Sequence, residues 1–178
     1  RGAFLHVMSD MAGSAAALLA LLGHASLLAR KTVAVIGARN ATLGGRRFAR
    51  ALAADLGCED YVVVSGMARG IDAAAHEGAL ASGTIAVLGG GVDVPYPPEN
   101  AALYQKLRDQ GAIVSEMACG TQPLARHFPR RNRIISGISR GVVVVEASLQ
   151  SGSLITARFA LEQGREVFAV PGPIDKLT

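Results

Sequence analysis

Six short apolar runs leave this chain few ways to fold. They are TVAVIGA (32–38), YVVVSG (61–66), TIAVLGG (84–90), AIVSE (112–116), GVVVVEA (141–147) and EVFAVPG (166–172). Each is rich in small or β-branched residues and ends in glycine or a polar residue. None alternates apolar with polar. A strand with one wet face alternates, whereas a continuous run is covered on both faces. Such strands belong to parallel sheets, whose crossover helices cover the sheet from above and below.

The segments between the runs supply those helices. Their patterns predict helices over 43–56, 70–82, 99–110 and 151–163. In GGRRFARALAADLG, Phe48, Leu52 and Leu56 recur every four residues, with arginines elsewhere and a glycine at the stop. The expected fold class is α/β, an open doubly wound sheet, mainly parallel, of about six or more strands flanked by helices. Half of the residues are hydrophobic, only 4% are aromatic and tryptophan is absent, which suits close helix-on-sheet packing. The 178 residues suffice for one domain with a sizeable core.

No linker or second domain interrupts residues 31–178. Residues 1–30 read as an N-terminal appendage or connector. Its segment GSAAALLALLGHASLLAR (13–30) is apolar, but the run breaks at Gly23 and His24, too soon for a membrane span. Ser9, Asp10 and Ser14 stand where a signal peptide carries basic residues. Cys58 and Cys119 have no metal or redox spacing and fit a reducing cytoplasm.

In an open α/β sheet, ligands bind beyond the carboxyl ends of the strands. The segments there read GARNATLGG, SGMARGID, GGGVDVPYPPEN, SEMACG, EASLQSGSLITA and PGPID. Glycine, serine, asparagine and arginine gather in them. In EASLQSGSLITA, Ser151, Gly152 and Ser153 open a helix, which suits either a phosphate on free backbone amides or an ordinary cap. SGMARGID repeats the arrangement with Ser65 and Gly66, followed by Arg69, Asp72 and His76. Asp72 reads as a cap for neighbouring amides rather than a general base. His76 reads as a structural histidine.

Positive charge is concentrated. The net charge is +4, yet Arg126 to Arg140 holds five arginines and no acid. Arg39, Arg46, Arg47 and Arg50 form a second cluster. Such clusters point to phosphates, nucleic acid or an anionic surface, against the bland reading of a solvated face. In HFPRRNRIISG (127–137) a helix is expected from about Arg130, with Pro129 at its start. Phe128 suits stacking on a base, and Asn132 suits a base edge or sugar–phosphate oxygen. The structural alternative pairs an arginine with Glu116 or Glu146 and buries Phe128, and both readings are expected to hold for different arginines.

Several chemistries are disfavoured. No G-x-G-x-x-G opens a first helix, and no G-x-x-x-x-G-K-[ST] is present. No cofactor is implied. No carboxylate pair has metal spacing, although Asp93, Glu116 and Glu146 near strand ends leave a weak divalent-ion site open.

Seven segments in order resemble the DNA-processing protein A family, also called Smf. They are VAVIGARNAT, VVSGMARGIDAAAHEGAL, TIAVLGGGVDVPYPPEN, SEMACGTQP, FPRRNRIISGIS, VVVEA and SGSLITARFALEQGREVFAVPG, across residues 31–173. The resemblance implies a Rossmann-like domain that binds single-stranded DNA without strong sequence preference. It implies protection of incoming strands and loading of the RecA recombinase during natural transformation, in the cytoplasm, by a homodimer in the full-length protein. No enzyme activity is implied. The implied DNA-binding residues are Arg39, Phe128, Arg130, Asn132, Arg133 and Ser151 to Ser153; Gly66 and Arg69 join them from the ligand edge. The family's basic position three before the phenylalanine is Ala125 here, with Arg126 as its substitute. The glycine- and asparagine-containing stretch that completes the family's domain, and the winged-helix-like domain of many members, do not occur in this sequence. The rival reading is a related nucleotide-cleaving enzyme, whose loop carries a glutamate that SGSLITA lacks. A third is a scaffold that meets RecA through its outer helices.

Overall fold

The computed structural model describes residues 4–8 and 17–172. Pro173 to Asp175, the end of the last ligand-edge segment, lies outside them, as do residues 13–16 of the apolar N-terminal stretch. In chain order the strands are β1 (Phe4–Met8), β2 (Ala17–Gly23), β3 (Thr32–Ile36), β4 (Val62–Ser65), β5 (Thr84–Val87), β6 (Ala112–Ser115), β7 (Gly141–Val144) and β8 (Glu166–Ala169). The helices are α1 (Leu43–Cys58), α2 (Ile71–Ala79), α3 (Ala101–Gln110), α4 (His127–Gly137) and α5 (Ser153–Glu162).

All eight strands form one sheet in the order β1-β2-β6-β5-β4-β3-β7-β8. From β6 to β8 every pairing is parallel, and β2 and β1 add antiparallel at one edge. The doubly wound α/β class is therefore present, with two strands beyond the six apolar runs. The strand direction of winding reverses between β3 and β7.

The unbroken apolar runs divide by parity. Ala34, Ile36, Val62, Val64, Ile85, Val87, Val142 and Val144 pack on one face with Ile134 and Ile135 of α4 and Ala160 of α5. Val35 and Val63 point to the other face, against α1 and α2. Ala86 and Ile113 meet Leu103, Tyr104 and Leu107 of α3 there. Each strand is thus apolar at every position because each face has its own helical layer.

Two local expectations are corrected. In α1 the buried residues are Ala49 and Ala53, and Phe48 is 45% exposed. The reason is helix-on-helix approach: α1 and α2 share a cluster built from Ala49, Ala53, Ala74 and Ala75. A Cβ at Gly78 of α2 would collide with the backbone of Arg50. Small residues set that seam, so Phe48 is turned outward while Leu52 and Leu56 pack half-buried against it.

The other correction is β2, which lies in the segment read as a connector. Leu19 and Leu21 are buried in the α4 face of the sheet, and Ala20 and Leu22 pack towards the α3 face. Leucine and alanine favour helix intrinsically, but pairing with β6 overrides that preference.

Candidate nucleic-acid interface

The loops after β3, β4 and β5 meet the start of α4 around one cavity of about 570 Å³. Arg39 comes from the first loop, Gly66, Ala68 and Arg69 from the second, Leu88 to Gly90 from the third, and Phe128 and Arg131 from α4. Tyr96, Pro97, Pro98 and Glu99 close another side. This is the carboxyl edge of the parallel strands, where such sheets place their ligands. Three arginines face one carboxylate, Glu99, among the lining residues.

Phe128 organises the cavity. The Arg39 guanidinium lies 5.5 Å from its ring centroid and that of Arg131 lies 5.9 Å away, both within cation–π range. Tyr96 stands 5.6 Å from the same ring at 33°. A Cβ on Gly89 would lie 3.0 Å from the Phe128 ring, so a larger residue there would push the ring back by a few tenths of an ångström. The result is an aromatic wall with cations beside it, a surface suited to a stacked base and its phosphate.

Arg131 is the residue that sequence reasoning left out of the site, together with Tyr96. It is 7% exposed. Its Nη1 donates to the carbonyl of Gly66 at 2.7 Å and to that of Val87. Burial and the nearby Arg39 charge push its pKa down to about 10, against the opposing effect of Asp72, so it stays a cation at neutral pH. The signal was available: Phe128 and Arg131 are three apart, and on a helix such residues share a face.

The expected phosphate cradle at Gly66 is corrected. The Asp72 carboxylate accepts from the amides of Gly66 (3.1 Å) and Ala68 (3.3 Å), so those donors are already engaged. Burial raises the pKa of Asp72, and Arg131 and the amide bonds oppose that rise. Met67 between them has φ +58°, the left-handed conformation that turns successive amides inward. Gly66 lines the cavity but offers it no free N–H. The capping role expected of Asp72 is observed. His76 is fully buried, its Nδ1 2.8 Å from the Thr84 hydroxyl, and burial drives its pKa to about 3.

The remaining candidates do not line the cavity. Helix α4 begins at His127, three residues before Arg130, so Pro129 occupies its third position. A missing N–H costs nothing there, because first-turn amides lack intrahelical partners. Arg130 and Arg133 both pair with Glu116, Arg130 at 3.0 Å, and the Arg133 side chain is only 19% exposed. Asn132 is buried and donates to the carbonyl of Gly152 at 3.2 Å, tying α4 to the loop before α5. In that loop the hydroxyls of Ser151 and Ser153 bond each other at 2.7 Å. The first three amides of α5 are engaged: Ser153 N donates to the Ser151 hydroxyl at 3.4 Å, and those of Leu154 and Ile155 to the carbonyls of Ser151 and Gly152. The N-cap residue, Gly152, makes no side-chain cap. Arg126 is exposed at the entry to α4.

Asp93, Glu116 and Glu146 do not converge. Asp93 accepts from the Gly120 amide, Glu116 holds the two arginines, and Glu146 accepts from the amide (3.1 Å) and hydroxyl (2.9 Å) of Thr42. Glu146 thereby bridges the β7 and β3 loops at the point where the winding reverses.

The sequence matches the profile of the DNA recombination-mediator protein A family over residues 5–178. It is 53% identical over 145 residues to Protein Smf of Escherichia coli K12, covering 80% of this chain and 39% of that protein. DNA processing protein A from Streptococcus pneumoniae matches in structure with a TM-score of 0.84 at 46% identity, over 89% of this chain and 56% of the other. DNA processing protein A from Helicobacter pylori, solved for insight into its single-stranded DNA binding mode, matches with a TM-score of 0.89 at 30% identity, over 96% and 82%. The chain spans 39% and 56% of the length of two curated relatives, from E. coli and S. pneumoniae. Matched by the family profile over nearly its whole length, and sharing its fold with these two solved members, this chain belongs to the DNA recombination-mediator protein A family.

Proposed function

We propose that this chain binds single-stranded DNA without strong sequence preference at the Phe128 cavity. The observation that carries the reading is the grouping of Arg39, Arg69 and Arg131 with Phe128 and Tyr96 in one opening. Rings accept any base face, and guanidiniums accept any phosphate, so the combination is indifferent to sequence. Arg39 and Phe128 act directly on the strand. Arg131 holds the ring and the Gly66 loop in place from below the surface.

The wider role follows the family: protecting incoming strands and loading RecA during natural transformation, by a homodimer in the cytoplasm. Family membership supports it, and the printed names of the relatives describe DNA processing. Among the described residues no helix is long and apolar enough to cross a membrane. Against the rival nucleotide-cleaving reading stands the loop SGSLITA, which lacks the glutamate that such enzymes carry there.

Anisotropy titration of labelled oligothymidylate at several salt concentrations tests the DNA reading. Arg39→Ala weakens binding and reduces the log–log salt slope by about 0.7. Unaltered affinity and slope in that variant would defeat it. RecA filament formation on DNA coated by a single-strand binding protein, with and without this protein, tests the loading role; no acceleration sinks that part alone.

A further inference from the structure

A second cleft lies between α1 and α2, with a volume of about 430 Å³. Arg46, Arg47 and Arg50 of α1 line it, with Arg69 and Glu77 opposite. Arg69 lines the Phe128 cavity as well, so a single side chain stands between the two openings. We propose that this cleft takes the phosphodiester backbone of the strand where it leaves the Phe128 cavity. The inference rests on the single-stranded DNA reading of that cavity and extends it to a second contact site.

The charge pattern of α1 is the argument. Arg46 and Arg50 are four apart, a like-charge spacing that destabilises a helix. Arg46 and Arg47 are the fourth and fifth residues of α1, near the helix end whose dipole disfavours cations. The first turn holds no acid to offset them. A merely solvated helical face intersperses both signs; here the only acid of α1 is Asp55, beyond the cluster. Arg46 and Arg47 enter no ion pair among the described residues, while Arg50 pairs with Glu77 and Arg69 lies 3.7 Å from Glu99. Those two acids are half exposed, and ion pairs of that kind are weak enough for a phosphate to displace.

Geometry favours a polynucleotide over a detached anion. Arg46 and Arg50 are one turn apart, about 6 Å along the axis, a step comparable to that between phosphates of an extended strand. Arg69, which lines both openings, puts a guanidinium on the way from the aromatic wall to α1. An acidic protein surface would need no such continuity.

The test compares oligothymidylates of about six and about twenty nucleotides, lengths chosen to fill one site or to run beyond it. In Arg46→Ala/Arg47→Ala the short oligomer binds as in the unaltered protein. The long oligomer loses about tenfold in affinity at low salt, and its log–log slope falls by about 1.4. Arg46→Gln/Arg47→Gln reproduces the result with the hydrogen-bonding chains retained, and thermal melting checks that both variants fold. Unchanged binding of the long oligomer overturns the inference, as does equal weakening of both lengths. Arg39→Ala weakens both lengths. If the unaltered protein ignores both oligomers, the reading of the first cavity falls instead.

Discussion

The guanidinium of Arg131 packs against the ring of Phe128, 5.9 Å from its centroid, and is anchored to the carbonyl of Gly66 at 2.7 Å. A buried cation thus couples the aromatic wall to the loop after β4. Asp72 is its countercharge, and the same carboxylate gathers the amides of that loop. Asp72→Asn removes the opposite charge that acts on Arg131 and puts a neutral oxygen on the Gly66 and Ala68 amides. The expected loss is about 1–3 kcal/mol of folding stability. Urea denaturation measures it, and a loss near zero would mean that Arg131 is solvated by other means.

Gly66 permits that coupling. A Cβ there would lie 2.7 Å from the Arg131 guanidinium. Gly66→Ala therefore costs about 1–3 kcal/mol through overpacking and lowers the midpoint of thermal unfolding by several degrees. Calorimetry reads the shift. DNA affinity falls with it, because Arg131 and Phe128 move together. A variant as stable as the parent, with unchanged affinity, would show that the loop yields freely.

Glu116 restrains two cations outside the cavity. Removing its charge in Glu116→Gln releases Arg130, which is already 61% exposed, and Arg133. The variant should bind single-stranded DNA more tightly, with a salt slope steeper by about 0.7. Titration at several salt concentrations distinguishes this from an unchanged slope, in which case the two arginines serve only to fasten α4 to the loop after β6.

His76 gives the fold an acid-sensitive point. Its pKa is lowered from 6.5 to about 3 by burial and by Arg131. The unfolded chain therefore binds a proton that the folded one refuses. Its contribution to stability is full above pH 6.5 and is lost as pH falls towards 3, at up to about 1.4 kcal/mol per pH unit. Asp72, whose pKa is raised, acts in the opposite direction, so the comparison is between variants. His76→Asn keeps a donor for the Thr84 hydroxyl and removes the titration. Its stability should fall less steeply with acid than the parent's; parallel curves from urea unfolding would refute the assignment.

The strands were legible because helices cover both faces of the sheet: Val63 and Val64 serve different layers, so neither position tolerates a polar residue. β2 was not, because Ala17 to Gly23 carries helix-favouring residues whose strand state is decided by β6, ninety residues away in sequence. Arg39, Arg69 and Phe128 were candidates from the sequence, and all three line the same cavity. The partners of Arg130 and Arg133 were left open, because Glu116 sits on another element and only the fold selects it over Glu146. Arg131 escaped for the opposite reason. With the helix expected only from about Arg130, Phe128 fell outside it, and the shared face that the true start at His127 gives Phe128 and Arg131 went unseen.

Free nucleotides carry the same phosphate as a strand, and in a cell they greatly outnumber strand ends. A loop of open amides would be saturated by them. Here the corresponding donors already embrace a resident carboxylate, that of Asp72. What is left for a visitor is a set of separate side chains, each feeble alone. Only a ligand with linked charges engages several at once and gains from their multiplication. If the cavity takes a strand as proposed, the internal carboxylate acts as a permanent decoy that tilts selection from monomers towards polymers before any base is read.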